Sequence, residues 1–345
     1  MIPIQNIYYM LSYAFQVLNE QGYKNIATEQ FNNTGELMAA ILEKGIAIQL
    51  KRGLGKEYIL QTEALSSLRG KIDIAESIKT QSMLRKQLIC TYDEFSVNSI
   101  MNRIIKSTVE LLLRSNISKQ RKKNLRKLMV YFREVDFIDL YTVNWNVQYN
   151  RNNQTYRMLI SICYLVVKGL LQTQSNGHTE LMDFLDEQRM CRLYEKFILE
   201  YYRKEFKNQF TANASQIPWQ LDNEENSMLP VMQSDIMLQS GEKVLIIDAK
   251  YYEHSTQVQF DKHTLHSGNL YQIFTYVKNK EYELREKDHT VSGMLLYAKT
   301  DEEIYPNNVY QMSGNQITVR TLDLNLPFDE IAGQLNTIAE SHFNS

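Results

Sequence analysis

The chain has 345 residues, of which 43% are hydrophobic and 23% charged, a composition that excludes dominant disorder and predicts a folded protein of about two domains. Lys and Arg number 38 against 40 Asp and Glu, so the net charge of −2 excludes a uniformly basic nucleic-acid coat, and any DNA contact must be local. The three cysteines lie far apart without metal-ligand spacing, which excludes a disulfide framework and fits a reducing cytoplasm.

The first 150 residues mix helices with short strands. Apolar residues recur at helical spacing over 4–18, which predicts an amphipathic helix rather than a secretion signal. The most apolar run, 158–171, is too short to cross a bilayer and predicts a buried helix, so no membrane partner is expected. Helices are further predicted at 37–50 and 102–113, and strands at 57–62, 71–74 and 86–91.

A basic run follows at 119–127, where KQRKKNLRK places six positive charges in nine residues. Such a run attracts phosphates locally. It is also typical of an ordinary solvated helix surface, which is the more frequent role of short charge runs. The sequence favours the solvated surface and leaves phosphate binding open.

A polar, Asn-rich segment at 149–154 predicts the interdomain linker, with 173–177 as the alternative. The domains are therefore placed at 1–150 and 151–345. The second domain is expected to contain helices at 156–172, 187–207 and 269–279, a strand hairpin within 229–252, and a strand at 292–297. This order of elements predicts an α/β fold.

The hairpin carries the residues best suited to chemistry. The continuous apolar run 244–247 predicts a strand buried on both faces, and Asp248 and Lys250 follow it two residues apart, on one side of the strand. Buried charges there need a partner, a metal or a substrate, and Asp235 on the neighbouring strand can meet them. Two carboxylates can hold Mg²⁺, and Lys250 can orient or help to deprotonate a water and offset charge on a phosphate.

Three further residues are candidates for the same site. Gln272 and Tyr276 lie four apart on one helix face, placed to contact DNA backbone or to brace Lys250. Glu195, on the helix before the hairpin, either joins the metal ligands or is an ordinary surface glutamate, and the sequence favours neither role.

The order of Asp235, Asp248-Ala249-Lys250 and Gln272 to Tyr276 resembles the signature of PD-(D/E)xK nucleases, with Ser234 at the position where the signature usually has proline. Longer strings resemble the McrC subunits of McrBC modification-dependent, type IV restriction systems. They occur in the same order over nearly the whole chain: NIYYML at 6–11, LRGKI at 68–72, NRIIK at 102–106, LP at 229–230 and IDAKYY at 247–252.

The resemblance implies an α+β N-terminal domain over 1–150 and a restriction-endonuclease-like domain over 151–345, with a central mixed sheet flanked by helices. It implies a DNA endonuclease that uses Mg²⁺, with Mn²⁺ as a substitute, and cuts double-stranded DNA carrying 5-methylcytosine. Asp235 and Asp248 would be the metal ligands and Lys250 the catalytic lysine.

The resemblance also implies a partner, a hexameric AAA+ ring resembling McrB whose GTP hydrolysis this chain stimulates after docking through its N-terminal domain. The sequence agrees, because Gly53-Leu54-Gly55-Lys56 lacks the spacing of a phosphate-binding loop, so no nucleotide is expected on this chain. Arg69 and Lys71, beside Gly70, are either a basic finger that enters the ring or part of a plain solvent-facing hairpin.

Two other functions stay open at this point. The chain could be a non-catalytic adaptor that keeps the nuclease fold and only activates the ring, or a RecB-like nuclease that works with a helicase. The intact Asp235, Asp248 and Lys250 favour an enzyme over an adaptor, since buried charges are costly to keep without use. The N-terminal strings disfavour the helicase-linked nuclease.

Overall fold

The helices can be followed in a computed structural model that describes residues 2–19, 23, 26, 29, 31–150, 153–174, 187–223, 228–252, 257–259, 262–299 and 305–343. Within these ranges the α-helices are α1 (Ile4–Ala14), α2 (Thr34–Arg52), α3 (Ile74–Lys79), α4 (Ile100–Arg114), α5 (Lys119–Met129), α6 (Tyr156–Gln174), α7 (Glu187–Glu205), α8 (Ser267–Glu283) and α9 (Phe328–Phe343). None of the helices described combines the length and hydropathy that a bilayer span requires.

The strands form one large mixed sheet and smaller antiparallel ones. The strands described are β1 (Glu57–Leu65), β2 (Lys71–Asp73), β3 (Leu88–Ser96), β4 (Thr211–Asn213), β5 (Gln216–Ile217), β6 (Met232–Gln233), β7 (Ile236–Ser240), β8 (Lys243–Lys250), β9 (Gln257–Gln259), β10 (Lys262–Thr264), β11 (Thr290–Ala298), β12 (Asn308–Met312) and β13 (Asn315–Leu322). The large sheet has the order β12-β13-β11-β8-β7-β4, and a three-stranded sheet has the order β1-β3-β2.

The chain divides into two compact units. The small-sheet unit is Thr28–Asp183, and the large-sheet unit is Met1–Ala27 together with Phe184–Ser345. The predicted first domain was 1–150, whereas the small-sheet unit begins at Thr28 and ends at Asp183. Helix α1 belongs to the large-sheet unit, and helix α6 belongs to the small-sheet unit.

Long-range side-chain contacts explain the difference. Asn6, buried on α1, donates hydrogen bonds from Nδ2 to the carbonyl oxygens of Leu324 and Leu326, at 2.7 and 2.8 Å. On α6, the Tyr156 hydroxyl accepts a hydrogen bond from the Gly55 amide and donates one to Asn102 Oδ1, both at 2.7 Å. Neither set of partners is adjacent in the chain, so a boundary drawn at a polar segment misses both.

In the small-sheet unit, the three predicted strands are confirmed with shifted ends. Strands β1 and β3 are longer than predicted and pair antiparallel over nine residues, while β2 ends at Asp73. The Asp73 side chain accepts a hydrogen bond from the amide of Glu76 at 2.9 Å and so caps α3. The residue that follows β2 therefore begins a helix instead of extending the strand.

In the large-sheet unit, β8 is the central strand. It pairs antiparallel with β7 and parallel with β11, which in turn pairs parallel with β13. Residues 244–249 are all buried, which confirms the predicted strand covered on both faces. The carboxyl end of β8 is therefore a place where polar side chains meet a water-poor interior.

Gly293 on β11 lets α8 approach the sheet. A Cβ at this position would lie 2.8 Å from a side-chain carbon of Ile273 and 2.9 Å from one of Val277, both on α8. The same helix carries Gln272 and Tyr276, so the distance between α8 and the sheet determines the positions of these two side chains.

We expect Gly293→Ala to lower the free energy of unfolding by about 1–3 kcal/mol, because the new methyl group overfills this contact. The matched control is Gly333→Ala on α9, where a Cβ meets nothing within 4 Å. That change should raise stability by about 0.5–1 kcal/mol, since alanine favours a helix. Urea unfolding measures both, and equal stabilities for the two variants would contradict the close approach of α8.

Candidate active site

Asp248 and Lys250 lie at the carboxyl end of β8 and form a buried ion pair. Lys250 Nζ is 2.8 Å from Asp248 Oδ2, and the side chains are 13% and 1% exposed. Both point to the same side because they are two residues apart on a strand. Lys250 also lies opposite Tyr297 in the parallel ladder with β11.

Asp235 joins them from the neighbouring strand. The antiparallel ladder pairs Ile236 with Ile247, so continuing its register by one residue places Asp235 opposite Asp248. Asp235 Oδ2 accepts a hydrogen bond from the amide of Ala249 at 2.9 Å, which holds the carboxylate beside the end of β8. The structure thus brings together the three residues that the sequence predicted as one cluster.

Burial and charge make this pair of aspartates unfavourable as two free anions. Burial, together with the neighbouring charges of Asp248 and Glu195, raises the pKa of Asp235 to about 8 against the opposing effect of Lys250. Without a cation, Asp235 is therefore largely protonated at neutral pH. A divalent ion bound to both carboxylates would remove this penalty.

Asp248 offers the most direct test of fit for a metal. Both carboxylate oxygens are buried, and neither accepts a hydrogen bond from any residue that the structure describes. Its contact with Lys250 is an ion pair by distance that lacks hydrogen-bond geometry. A buried carboxylate normally has its lone pairs satisfied. The unsatisfied oxygens of Asp248, next to a second carboxylate, fit the hard oxygen ligands that Mg²⁺ prefers.

Glu195 lies on α7 near this cluster, at a cleft of about 390 Å³ whose lining includes Arg192, Ser234 and Asp235. Its Oε1 accepts a hydrogen bond from the Cys191 thiol at 3.1 Å. Burial raises the pKa of Glu195. No trio of His, Cys, Asp or Glu side chains within the described ranges has the geometry of a metal site. Glu195 as a third ligand therefore stays a prediction.

A chain of hydrogen bonds holds Lys250 from the α8 side. Lys250 Nζ donates to Gln272 Oε1 at 3.3 Å, and Gln272 Nε2 donates to the Tyr276 hydroxyl at 2.9 Å. Of the two placements predicted for Gln272 and Tyr276, the structure shows the brace on the lysine. Contact of these two residues with DNA stays a prediction.

The charge state of Lys250 follows from its neighbours. Burial alone lowers its pKa, but the charges of Asp248 and Asp235 outweigh burial and raise the pKa above its ordinary value. Lys250 is therefore protonated at neutral pH. It can donate hydrogen bonds and offset negative charge, and it is unsuited to removing a proton from water.

Sequence reasoning missed a second network beside Lys250. The Tyr252 hydroxyl donates to Asn269 Oδ1 at 3.2 Å, and Asn269 Nδ2 donates to the Tyr297 hydroxyl at 3.0 Å. Asn269 precedes Gln272 by three residues on α8, so both share a helix face. That spacing was the signal in the sequence that could have identified Asn269.

Ser234 stands where the signature that the sequence resembles usually has proline. It is 1% exposed, its amide donates to the carbonyl oxygen of Ser215 at 3.0 Å, and its hydroxyl accepts from the Ser215 amide at 3.3 Å. These bonds tie the segment before Asp235 to the neighbouring strand region. Hydrogen bonding thus fixes the backbone here in place of a restricted ring.

Arg69 and Lys71 belong to the small-sheet unit and are both exposed. The guanidinium of Arg69 lies over the ring of Tyr92, 4.1 Å from its centroid. Gly70 between them has φ +66°, and a Cβ there would lie 2.3 Å from the carbonyl oxygen of Thr91. Glycine is therefore required for this turn, which presents the two cations to solvent.

We expect Asp235→Asn to stabilise the metal-free protein at pH 8 by about 1–3 kcal/mol, because it removes a carboxyl group that resists ionisation when folded. The folded pKa is raised, so the wild type loses stability as pH rises from the unfolded value of about 4 towards 8. The stabilisation by Asp235→Asn should therefore be smaller at pH 5 than at pH 8. Urea unfolding in EDTA at both pH values measures it, and a destabilised variant at pH 8 would contradict the account.

Comparisons with known proteins identify the family of the chain. The chain matches the family model described as "McrBC 5-methylcytosine restriction system component" over residues 5–298. It is 30% identical over 329 residues to the type IV methyl-directed restriction enzyme EcoKMcrBC of Escherichia coli (strain K12), which covers 94% of this chain and 93% of that protein.

Two solved assemblies from Thermococcus gammatolerans are also similar. One is a half-complex from a tetradecameric assembly of McrB AAA+ hexamers with bound McrC, at 19% identity and a TM-score of 0.48, covering 97% of this chain and 76% of that chain. The other is the McrBC complex, at 22% identity and a TM-score of 0.41, covering 59% of each chain. With a family match over most of its length and a curated relative at 30% identity, the chain belongs to the family of McrBC 5-methylcytosine restriction system components.

Proposed function

We propose that this chain is the DNA endonuclease subunit of a GTP-dependent restriction complex, that it hydrolyses phosphodiester bonds of double-stranded DNA carrying 5-methylcytosine, and that it requires Mg²⁺, with Mn²⁺ as a substitute. The observation that carries the proposal is the buried, unsatisfied carboxylate of Asp248 between Asp235 and Lys250. The free thiols of Cys90, Cys163 and Cys191 fit a cytoplasmic location.

Asp235 and Asp248 would hold the divalent ion, which when bound supplies Lewis-acid activation of water and of the scissile phosphate. Lys250, protonated and held by Gln272, would donate a hydrogen bond to the phosphate oxygen that gains negative charge. The Tyr276 hydroxyl accepts a hydrogen bond from the Gln272 amide and so fixes the oxygen to which Lys250 donates. The cleft that Asp235 and Glu195 line would give the phosphate access to the Asp235 carboxylate.

The proposed restriction complex includes a partner protein. The chain lacks a nucleotide-binding loop, so a restriction complex that uses GTP needs a motor on another polypeptide. We place this chain on an AAA+ GTPase ring that resembles McrB, docked through the small-sheet unit. Arg69 and Lys71 would enter the ring and stimulate its hydrolysis.

Exposed apolar side chains on the small sheet support the docking. Tyr58 on β1 and Phe95 on β3 are 74% and 55% exposed and lie opposite each other, with ring centroids 5.0 Å apart. Leu60, on the same face, is 67% exposed. Exposed apolar side chains grouped on one face of a sheet in this way fit a surface that another protein covers.

The non-catalytic adaptor is the alternative, because the apolar patch would serve docking with or without a working nuclease. The Asp248 carboxylate favours the enzyme, since an adaptor gains nothing from buried oxygens that accept no hydrogen bond. A nuclease linked to a helicase finds no support in the family match, which identifies a restriction-system component.

The test is cleavage of plasmid with and without 5-methylcytosine, in the presence of Mg²⁺, the partner GTPase and GTP. We expect cleavage of the methylated plasmid only, and only with all three additions. Stimulated GTP hydrolysis without any cleavage under the same conditions would identify the adaptor. Cleavage of both plasmids without GTP would overturn the GTP-dependent restriction complex.

A further inference from the structure

Helix α5 has two faces of different character. On the inner face, Arg121 is 16% exposed and forms ion pairs with Glu29, Glu36 and Glu43, at 2.8, 3.4 and 2.9 Å. Leu125, on the same face, is fully buried. One of the six cations of the 119–127 run is thus used within the fold of the small-sheet unit.

The other five cations form a stripe on the outer face, which we call the α5 stripe. Its members are spaced i, i+3, i+4, i+7 and i+8, which is one side of a helix: Lys119, Lys122, Lys123, Arg126 and Lys127. Four are exposed and Lys122 is partly so. No ion pair joins any of them to a carboxylate in the part of the chain that the structure describes.

The helix dipole accounts for only part of this stripe. Arg126 and Lys127 lie in the last turn of α5, where they complement the dipole, but the first turn has no acidic residue, and Lys119 and Lys122 oppose the dipole there. Like charges four residues apart, such as Lys119 with Lys123, repel each other. The arrangement becomes favourable when an external polyanion neutralises it.

From this charge distribution we infer that the α5 stripe binds the phosphate backbone of double-stranded DNA. The inference rests on the proposed DNA substrate, and it adds a contact on the small-sheet unit to those of the nuclease site. The nine residues from Lys119 to Lys127 span about 12 Å along the helix, close to the width of the DNA major groove of about 12 Å. Cations on such a stripe can therefore reach successive phosphates without reading base sequence.

Binding of the full chain to a labelled, unmodified duplex of about 25 base pairs, measured by fluorescence anisotropy in EDTA, tests the stripe without cleavage. The variant carries Lys119→Gln, Lys123→Gln and Lys127→Gln, and glutamine keeps the helix propensity of lysine. We expect its affinity to fall at least about 10-fold, and the slope of log affinity against log salt concentration to fall by about 2 to 3.

The matched control replaces the same three lysines with arginine, which keeps every charge and should keep both affinity and salt slope. Wild-type affinity and slope in the glutamine variant would overturn the inference. So would unchanged DNA binding together with lost affinity for the partner GTPase, because the stripe would then contact protein. Cleavage by an Asp248→Asn variant tests the nuclease proposal independently of the stripe. If this variant still cleaved DNA, the nuclease proposal would be overturned, while the measured salt slope would still support DNA binding by the α5 stripe.

Discussion

Asp248→Asn is expected to reduce the rate of DNA cleavage by about 100- to 1000-fold, the scale of loss when a charge-stabilising group is removed from an active site. The change removes one of the two carboxylates that would hold the metal, and it also leaves Lys250 without its 2.8 Å ion-pair partner. Cleavage of methylated plasmid, followed with the partner and GTP present, measures the loss.

Asp323→Asn is the matched control, because the same sheet holds a second Asp–Lys pair. Lys299 Nζ lies 2.6 Å from Asp323 Oδ2 at the ends of β11 and β13, and both side chains are more exposed than those of the Asp248 pair. This variant should cleave at the wild-type rate. Asp248→Asn should still stimulate the GTPase, so loss of both activities would indicate a folding defect, and retention of cleavage would contradict the proposed site.

The double variant Tyr58→Ala, Phe95→Ala is expected to weaken binding of the partner GTPase by about 30- to 1000-fold, as removal of aromatic anchors from the centre of an interface does. Both side chains are largely exposed, so the fold should lose little stability. Calorimetric titration of the partner with each variant measures the affinity.

Tyr141→Ala serves as the control for this surface, since Tyr141 is 62% exposed in the same unit but lies outside the small sheet. It should bind the partner as the wild type does. Arg69→Ala then separates docking from stimulation: we expect it to keep most of the affinity and to lose GTPase stimulation. Wild-type stimulation by Arg69→Ala would show that the finger hypothesis is wrong.

Much of the candidate site could be predicted because its signals are local. The apolar run of β8 and the spacing of Asp248 and Lys250 place both charges at one strand end, and a tight hairpin returns Asp235 to the neighbouring strand. The roles of the charges were harder to predict, since the protonation of Lys250 depends on how closely Asp248 and Asp235 approach it.

The parts that could not be predicted depend on contacts between distant segments. Strand β13 and helix α9 belong to the large-sheet unit. Because β13 pairs parallel with β11, no hairpin turn joins the two strands, and the sequence gives no local signal for this pairing. The unit to which α1 belongs follows from the bonds of Asn6 to residues more than 300 positions away. The Cys191 thiol donates a hydrogen bond to the Glu195 carboxylate within one helix turn, but helical spacing alone does not predict that this bond forms.

The central claim is that Asp235 and Asp248 hold one divalent ion between them, and anomalous diffraction from crystals soaked in Mn²⁺ tests it most directly. We expect a manganese peak within about 2.0–2.3 Å of an oxygen of each aspartate, beside Lys250, and no peak in crystals of Asp248→Asn. Manganese bound elsewhere, or bound equally in the Asp248→Asn crystals, would contradict it.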